Sequence, residues 1–374
     1  MTDWIRVKLS DCLARVERPV NVLRDKRYAQ IGIRSHGKGL FHKGFVTGEE
    51  LGSKAVYWVE PECLVLNIVF AWEQAVGKTT SSEAGMIASH RFPMYLPKNN
   101  LVDVDYLIYF FLTKRGKEIL EAASPGGAGR NRTLGQARFL NSIVTLPPIA
   151  EQRKIVEILS AQDRVIELKT KLLEEKKRLK KYLCQMLLSG KKRICDKYLE
   201  WDFYKLGNAL SYEQPGKYIV RADNYKQSYC TPVLTAGKSF VLGYVDETDD
   251  VYQNVPVVIF DDFTTSSKYV DFPFKVKSSA IKILSANSGF DIYFMYEILQ
   301  HIRYPISGHE RHWISIFSKM EINLPCLREQ REISKFLKTL NEEIDIYNDV
   351  IEKENLKKKA LMQQLLTGKI RVTV

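Results

Sequence analysis

Hydrophobic residues recur at helical spacing in two long stretches of the chain, one near the middle and one at the end. In the second stretch the apolar positions alternate in steps of four and three, the spacing of a coiled coil, at Ile333, Leu337, Leu340, Ile344, Tyr347 and Ile351. The first stretch has a comparable seam at Ile155, Leu159, Ile166, Leu173, Leu183 and Leu187. Each stretch begins at a Leu-Pro pair and ends at a glycine, which are common helix boundaries. The pattern predicts two helices of roughly 40 residues and about 60 Å each.

A helix of this length cannot bury its own apolar seam, so we expect the two helices to pack antiparallel on each other. The first helix carries a second apolar stripe, which predicts an additional neighbour, at Ile158, Val165, Leu172, Leu179 and Met186. Charged residues interrupt both seams at matched positions, which are Lys176 and Lys180 in one helix and Glu354 and Lys358 in the other. These charges indicate either a solvated face that fixes the register or a docking surface for another subunit.

The two helices belong to a longer internal repeat. LPPIAEQRKIVEIL from position 146 is matched by LPCLREQREISKFL, and LLSGKKRI from position 187 by LLTGKIRV, both 178 positions later. Trp4 is matched by Trp201 at an offset of 197, and Tyr106 by Tyr293 at an offset of 187. Four matches in one order predict two copies of one module. Its segments are two globular parts, 1–145 and 196–323, each followed by a helical part, 146–195 and 324–374.

The globular segments have the pattern of mixed α/β domains. Short apolar runs rich in Val and Ile predict buried strands at 63–72 and 255–260. Residues 270–277 alternate but contain Pro273, so they fit an edge strand, and 105–122 and 291–302 show helical spacing. The predicted fold class is therefore α/β (α+β), with two similar mixed α/β domains separated by two long antiparallel helices that form a coiled coil. The repeat gives this arrangement pseudo-two-fold symmetry.

Composition is typical of a globular protein, with 45% hydrophobic and 27% charged residues. No apolar run approaches the length of a membrane span, and the charged N-terminus does not resemble an export signal. The six cysteines are scattered without a Cys-x-x-Cys pair, which favours a reducing cytoplasm over a disulfide framework or a zinc site.

The formal net charge of +12 favours a polyanionic partner. This charge is uneven, because residues 1–195 carry +13 and residues 196–374 carry −1. If the second globular segment binds nucleic acid, it therefore needs a local basic patch on a mildly acidic body.

Catalytic motifs are weak in this sequence. Gly77-Lys78-Thr79 resembles the end of a phosphate-binding loop, but Trp72 stands where that loop needs a glycine. His309 and His312 lack the spacing of a zinc protease. Asp261 and Asp262 are the best paired carboxylates for a nuclease metal, although loop or turn acids are the better interpretation. We predict no catalytic residue, no metal site and no cofactor.

Polar loops with small, basic and aromatic residues are the better candidates for recognition. Flexible turns let the backbone approach phosphates, Arg and Lys neutralise them, and short polar side chains reach base edges. Both halves place such loops before the Leu-Pro pair, and a Gly-x-x-Arg turn recurs at 129–132 and 308–311. The predicted DNA-binding residues are Ser35, His36, Lys38, Lys43, His90, Arg91, Arg130, Arg132, Thr235, Lys238, Thr264, Thr265, Ser266, Lys268, His309 and Arg311.

The doubled Leu-Pro…Glu-Gln-Arg helix resembles the specificity (S) subunit of type I restriction-modification systems, over the whole chain. TPVLTAGKSFVLGY (231–244) and FDDFTTSSKYVDFPFKVK (260–277) also resemble a common version of that family's target recognition domain. Cys326 and Arg328 depart from the pattern of the first copy, where Pro148 and Ala150 stand, which puts only the local helix entry in doubt.

The resemblance implies a non-catalytic cytoplasmic subunit. Its target recognition domains, 1–145 and 196–323, would each read one half of a bipartite, asymmetric double-stranded DNA sequence. Its helices would set the spacing between the halves and recruit two methyltransferase (M) subunits, which restriction (R) subunits join. The coiled-coil or subunit-docking residues would be Glu151, Gln152, Arg153, Ile155, Leu159, Ile166, Leu173, Glu329, Gln330, Arg331, Ile333, Leu337, Ile344 and Ile351. Two alternatives stay open: a coiled-coil adaptor that binds proteins, and a nuclease or methyltransferase that acts alone.

Overall fold

A computed structural model describes residues 3–126, 132–194, 200–237, 239–305 and 311–373. The chain divides into two compact units, and both contain parts of the two long helices. Unit 1 comprises Met1–Lys169 and Val350–Val374, and unit 2 comprises Thr170–Asp349. The units therefore do not coincide with the sequence segments, because each globular body packs on the first part of one helix and the last part of the other.

Unit 1 contains three sheets in its described residues: the antiparallel pair β1-β10 and two four-stranded sheets, of order β2-β9-β6-β7 and β4-β3-β8-β5. The strands are β1 (Ile5–Lys8), β2 (Leu13–Val16), β3 (Arg27–Ile33), β4 (Leu40–Thr47), β5 (Val56–Trp58), β6 (Leu64–Leu66), β7 (Val76–Lys78), β8 (Ile87–Ser89), β9 (Met94–Pro97) and β10 (Ile143–Leu146). The helices are α1 (Leu9–Cys12), α2 (Gly48–Leu51), α3 (Val104–Phe111), α4 (Lys114–Ala123), α5 (Gln136–Leu140) and α6 (Ile149–Leu187), with 3-10 turns at Ala71–Glu73 and Ser81–Glu83.

Unit 2 repeats the opening strand pair as β11-β19, and its described residues add sheets of order β12-β18-β15-β16 and β14-β13-β17. The strands are β11 (Asp202–Lys205), β12 (Leu210–Glu213), β13 (Thr231–Leu234), β14 (Val241–Val245), β15 (Val257–Asp261), β16 (Ser267–Val270), β17 (Lys275–Val276), β18 (Ile281–Ala286) and β19 (Glu321–Leu324). The helices are α7 (Leu206–Ala209), α8 (Ile292–His301), α9 (His312–Ser315) and α10 (Leu327–Leu365), with 3-10 turns at Pro215–Tyr218 and Phe317–Lys319.

The two units use the repeated residues in the same way. Ile5 lies opposite Leu146 in the first strand pair, and Asp202 lies opposite Leu324 in the second. Each pair ties the start of a globular body to the Leu-Pro entry of the long helix that follows. The mixed α/β class and the two long helices predicted from the sequence are confirmed.

Three predicted elements differ from the structure. Within the predicted edge strand 270–277, only Val270 and Lys275–Val276 belong to strands. Only Leu64–Leu66 of the predicted strand 63–72 is a strand, because the Asn67 side chain accepts a hydrogen bond from the backbone N–H of Val69 and turns the chain. The predicted helix 105–122 is two helices, α3 and α4. Thr113 separates them, because its hydroxyl donates to the Phe110 carbonyl and accepts from the Gly116 N–H, which caps α4.

The long helices run antiparallel within each unit. In unit 1, Lys169 of α6 forms an ion pair with Glu354 of α10 at 2.6 Å, and Asp163 pairs with Lys358 further along. In unit 2, Lys176 pairs with Glu343 at 2.6 Å. The core of unit 1 includes Ile155, Leu159, Leu365 and Leu366, and that of unit 2 includes Cys184, Leu187, Ile333 and Leu337. Three charges that interrupt the seams, Lys176, Glu354 and Lys358, therefore pair across the two helices and fix their register, whereas Lys180 lies 3.9 Å from Glu297 of α8.

Among the described residues, no helix is both long enough and apolar enough to cross a membrane.

Candidate nucleic-acid interface

A short segment after β6, residues 67–74, gathers the predicted recognition residues of unit 1; we call it the central segment. The hydroxyl of Ser35 donates to the Glu73 carboxylate at 2.9 Å, and the backbone N–H of His36 donates to the Glu73 carbonyl at 2.8 Å. The tip of the β3-β4 hairpin is therefore held against the central segment. His36 and Gly37 both have positive φ, which suits this sharp reversal.

Other predicted residues approach the central segment from different parts of the chain. Arg132 lies over the ring of Trp72, 5.5 Å from its centroid. The backbone carbonyl of Arg91 accepts a hydrogen bond from the N–H of Ile68 at 3.0 Å, which places the turn containing the exposed His90 beside the segment. The structure thus brings together four loops that are distant in sequence. Sequence reasoning missed this role, since it assigned residues 67–72 to a strand.

Cations of unit 1 lie over aromatic rings near these loops. The Lys43 ammonium lies 5.7 Å from the centroid of Phe92, and the Arg34 guanidinium lies 4.7 Å from that of Phe41. Lys43 is exposed, as is Lys38 at the hairpin tip. Within the described residues neither Lys43 nor Arg34 has an ion-pair partner, so both charges remain available to an anion. Arg130 lies outside the described residues.

In unit 2 the β15-β16 turn presents Thr264, Thr265 and Ser266. The carboxylate of Asp261 accepts hydrogen bonds from the N–H groups of Phe263 and Thr264 at 3.0 and 2.8 Å. Thr265 has a φ of +55°, so the turn is held in a conformation that threonine seldom adopts. Thr264 is exposed at the tip, and the remaining turn residues are partly buried.

The other predicted residues of unit 2 fall in two places. The exposed Arg311 lies next to the turn, since the N–H of His312 donates to the Asp262 carbonyl at 3.0 Å, and Lys268 is partly buried on β16. Thr235 lies after β13 in a different sheet, where its hydroxyl donates to the Ser239 carbonyl. Among the described residues, no side-chain hydrogen bond joins Thr235 to the turn. Lys238 and His309 lie outside the described residues.

Residues considered for catalysis have structural partners. Lys78 forms ion pairs with Glu62 and Asp105 at 2.8 and 2.9 Å. Asp261 holds the turn, and Asp262 is buried against Lys282. Within the described residues no three His, Cys, Asp or Glu side chains are grouped so that they could hold a metal ion. Asp261 and Asp262 thus have structural contacts in the fold, one with the turn and one with Lys282.

The first residues of the Glu-Gln-Arg motifs form a buried clamp in each unit. Glu329 is fully buried and accepts hydrogen bonds from the Arg193 guanidinium at 2.6–3.1 Å. Arg193 also lies 5.6 Å from the ring centroid of Trp201. In unit 1, Glu151 accepts hydrogen bonds from Arg371 at 2.8 Å, and Arg371 lies over Trp4. The start of each long helix is thereby tied to the segment that follows the end of the other.

These clamps change the ionisation of their carboxyl groups. Burial alone would raise the pKa of Glu329, but the hydrogen bonds and charge of Arg193 outweigh it and lower that pKa below its ordinary value. The same balance lowers the pKa of Glu151 beside Arg371. Both carboxyl groups are therefore ionised at neutral pH.

The glutamine side chains of the two motifs form hydrogen bonds within their own units. Gln152 accepts from the N–H of Asp103 at 2.9 Å and donates to the carbonyl of Pro147 at 2.8 Å. Gln330 accepts from the N–H of Asp291 and donates to the carbonyl of Pro325, both at 2.9 Å. Both side chains are buried, so they fix the entry of each long helix.

The remaining residues predicted for docking or the coiled coil divide by exposure. The buried ones are Ile155, Leu159, Leu173, Ile333 and Leu337; Ile166, Ile344 and Ile351 are partly buried; Arg153 and Arg331 are exposed. The apolar seam thus serves packing within the chain. A docking role stays a prediction, and among this set Arg153 and Arg331 are the exposed candidates.

The family model described as "Type I restriction modification DNA specificity domain" matches residues 66–178 and 198–355, more than half of the chain. The chain belongs to this family.

Relatives and a solved structure agree with that assignment. The chain is 44% identical over 134 residues to the EcoR124I/EcoR124II type I restriction enzyme specificity subunit of Escherichia coli, covering 34% of this chain and 33% of that protein. It is 26% identical over 301 residues to the putative MjaX specificity subunit of Methanocaldococcus jannaschii, covering 74% and 70%. A crystal structure of a type I S subunit from M. genitalium superposes with a TM-score of 0.62 at 14% identity, covering 97% of this chain and 96% of that one. The structural likeness shows the shared fold.

This member of the specificity family has an equivalent groove in each unit. A cavity of about 960 Å³ in unit 1 is lined by Trp4, and one of about 610 Å³ in unit 2 by Trp201. Other lining residues of the two grooves occupy equivalent positions of the repeat: Gln363 and Gln185, Leu366 and Leu188, and Thr367 and Ser189. The groove of unit 1 is the more basic, being lined by Lys114, Arg115, Lys358 and Lys359. The groove of unit 1 also reaches the recognition loops, because His36 and Gln74 are among its lining residues.

Proposed function

We propose that this chain is the non-catalytic DNA-recognition subunit of a type I restriction-modification complex. It binds an asymmetric, bipartite double-stranded DNA target, with one half-site for each globular body. The observation that carries this proposal is that each unit combines an equivalent frame with different polar and cationic loops. Unequal recognition surfaces on equivalent frames suit two half-sites of different sequence. The DNA partner implies a cytoplasmic location.

The central segment of unit 1 supports phosphate contacts. Exposed Lys38 and Arg91 lie on loops that pack on the central segment, and exposed Lys43 lies on β4 over the ring of Phe92. Such cations neutralise phosphates without regard to sequence. In unit 2 the short hydroxyl side chains of the β15-β16 turn are suited to base edges. Arg311 beside that turn supplies the local positive charge that an otherwise acidic body needs.

We further propose that the long helices carry two methyltransferase subunits, which restriction subunits then join. The groove of unit 2 continues into an exposed apolar stripe on α6. Leu172, Leu179 and Tyr182 of that stripe are 43%, 49% and 52% exposed, and Tyr182 also lines the groove. Exposed apolar residues on one face of a helix commonly mark a protein interface. Because the grooves recur in both units, the same kind of partner fits twice.

The proposed function is tested by co-expressing the chain with the methyltransferase subunit of its system and mapping methylated bases across the host genome. We expect methylation at one split, asymmetric motif, and none with either subunit alone. Methylation that is independent of sequence would contradict the proposal. Activity of the purified chain alone, with Mg²⁺ or a methyl donor, would favour the catalytic alternative. Failure of the assembled complex to bind DNA in a salt-dependent manner would favour the adaptor.

Replacing Lys43 with alanine is expected to weaken binding of the complex to all DNA sequences alike. Loss of one phosphate contact should also reduce the slope of log affinity against log salt concentration by about one. Fluorescence anisotropy with specific and random duplexes at several salt concentrations measures both effects. Lys154→Ala is the control, since Lys154 pairs with Glu157 on α6. An unchanged slope for Lys43→Ala and for Arg132→Ala would show that the unit 1 loops are assigned incorrectly.

A further inference from the structure

The β15-β16 turn of unit 2 is anchored at both of its ends. At the first end, Asp262 accepts a hydrogen bond from the N–H of Trp313 through its carboxylate, at 2.7 Å. Its carbonyl accepts from the N–H of His312 at 3.0 Å and from the His312 ring nitrogen Nδ1 at 2.8 Å. At the second end, the Gln300 amide donates to the hydroxyl of Ser267 at 2.7 Å and to its carbonyl at 3.1 Å.

The first anchor is a buried ion pair. Asp262 and Lys282 are both fully buried, and the Lys282 ammonium lies 3.3 Å from the Asp262 carboxylate oxygen Oδ2. Oδ2 has no hydrogen-bond partner among the described residues, while Lys282 donates to the Gln214 side chain at 2.8 Å. The carboxylate and the ammonium group are therefore held by position rather than by a full set of hydrogen bonds. His312 is also buried and packs against Tyr304, with ring centroids 5.5 Å apart.

This arrangement joins two predicted recognition elements through one residue. The turn residues Thr264–Ser266 begin two positions after Asp262, and Arg311 precedes the two residues that Asp262 binds. A shift of the Asp262 carboxylate therefore moves the turn and Arg311 relative to each other. Discrimination between bases requires side chains held within about 0.5 Å of their productive positions.

We propose that Asp262 and Lys282 are positioning residues that determine the specificity of the second half-site, with Gln300 fixing the other end of the turn. None of the three needs to touch DNA. They act by holding Thr264, Thr265 and Arg311 in one geometry. This inference rests on the proposed function of the chain in DNA recognition.

The test is Asp262→Asn in the complex with the methyltransferase subunit, read by mapping methylated bases. Asparagine has the same shape, but it has only one acceptor oxygen. Its NH₂ group must therefore face one of two donors, the Lys282 ammonium or the Trp313 N–H. We expect discrimination between the correct and the next-best base at the second half-site to fall about tenfold or more. The first half-site, read by unit 1 of the same molecule, should keep its sequence preference.

Two further variants distinguish a specific effect on the turn from a general loss of stability in unit 2. Gln300→Ala removes only the hydrogen bonds to Ser267 and should also relax the second half-site. Lys275→Met is the matched control, because Lys275 is also buried in unit 2 and pairs with Glu247 at 2.9 Å, in the sheet that does not contain the turn. It should lower thermal stability but leave the sequence preference unchanged.

The inference is overturned if Asp262→Asn and Gln300→Ala both retain the wild-type preference at the second half-site. It is equally overturned if Lys275→Met relaxes that half-site as much as Asp262→Asn does, or if Asp262→Asn relaxes both half-sites together. Absence of any sequence-specific methylation by the wild-type complex would instead refute the proposed function, and this inference with it.

Discussion

Arg193→Ala is expected to lower the free energy of unfolding of unit 2 by about 3–5 kcal/mol, the usual cost of leaving one member of a buried ion pair without its partner. Glu329 is fully buried, and Arg193 binds it with both the Nε and the terminal nitrogen of the guanidinium. Alanine leaves that carboxylate without its cation and also removes the group that covers Trp201. Urea denaturation followed by tryptophan fluorescence measures the change.

The control for this prediction is Arg178→Ala. Arg178 pairs with Glu175 on the surface of α6, where both side chains are more than half exposed, so its loss should cost about 0.5 kcal/mol or less. Equal effects of the two substitutions would show that the clamp contributes no more than an ordinary surface pair.

The clamp also predicts the direction of a pH effect. The pKa of Glu329 in the folded chain lies below its ordinary value of 4.5. Its contribution to stability is therefore complete above that value and is lost as the pH falls through it towards the lower folded pKa. We expect wild-type stability to fall more steeply than that of Arg193→Ala over this acidic range. A parallel fall in both proteins would exclude Glu329 as a source of the pH dependence.

The second large effect is expected at the exposed stripe of α6. The repeat matches Leu179 with Lys357 and Tyr182 with Ala360, so the corresponding face of α10 is much less apolar. Leu179→Lys combined with Tyr182→Ala gives unit 2 the residues of unit 1 at both positions. Loss of central apolar contacts in an interface costs 2 kcal/mol or more, about 30-fold in affinity. On the proposed assembly with two methyltransferase subunits, we expect one of them to bind that much more weakly, as measured by native mass spectrometry over a concentration series.

The reciprocal variant gives a direct control on this asymmetry. Lys357→Leu combined with Ala360→Tyr should strengthen binding of the other methyltransferase subunit, if the stripe of each helix serves one partner. Because Leu179 and Tyr182 are exposed, their substitution should leave the thermal stability of the free chain unchanged. Undiminished assembly of the Leu179→Lys, Tyr182→Ala chain would show that the partner uses another surface.

The clamp also illustrates where sequence reasoning stopped. The glutamate and the arginine of the clamp are both part of the internal repeat. Glu151 corresponds to Glu329 and Arg193 corresponds to Arg371, each 178 positions apart. The repeat does not show which arginine each glutamate binds. Two equal copies are compatible with the arginine after the same helix and with the arginine after the other helix. The carboxylates were consequently assigned to subunit docking, whereas the structure buries them within each unit.

The recognition surfaces show a similar limit. The sequence predicts the polar loops around Ser35, Arg91 and Arg132 one by one, yet it places the central segment, which all three contact, in a strand. Its apolar residues have the pattern of a strand, but a hydrogen bond from the Val69 N–H to the Asn67 side chain turns the chain there. Strand propensity alone does not show whether this turn or a longer paired strand is the more stable.

The sequence by itself determined the doubled module, the mixed α/β class and the two long helices, because heptad spacing, Leu-Pro entries and terminal glycines are local signals. It also indicated family membership, since the Glu-Gln-Arg entry occurs twice in the right order. Only the tertiary structure decided that each unit takes the start of one helix and the end of the other, and that Asp262 is buried against Lys282. Those outcomes depend on which apolar faces meet and which charges lose water together, and these are properties of residues far apart in the chain.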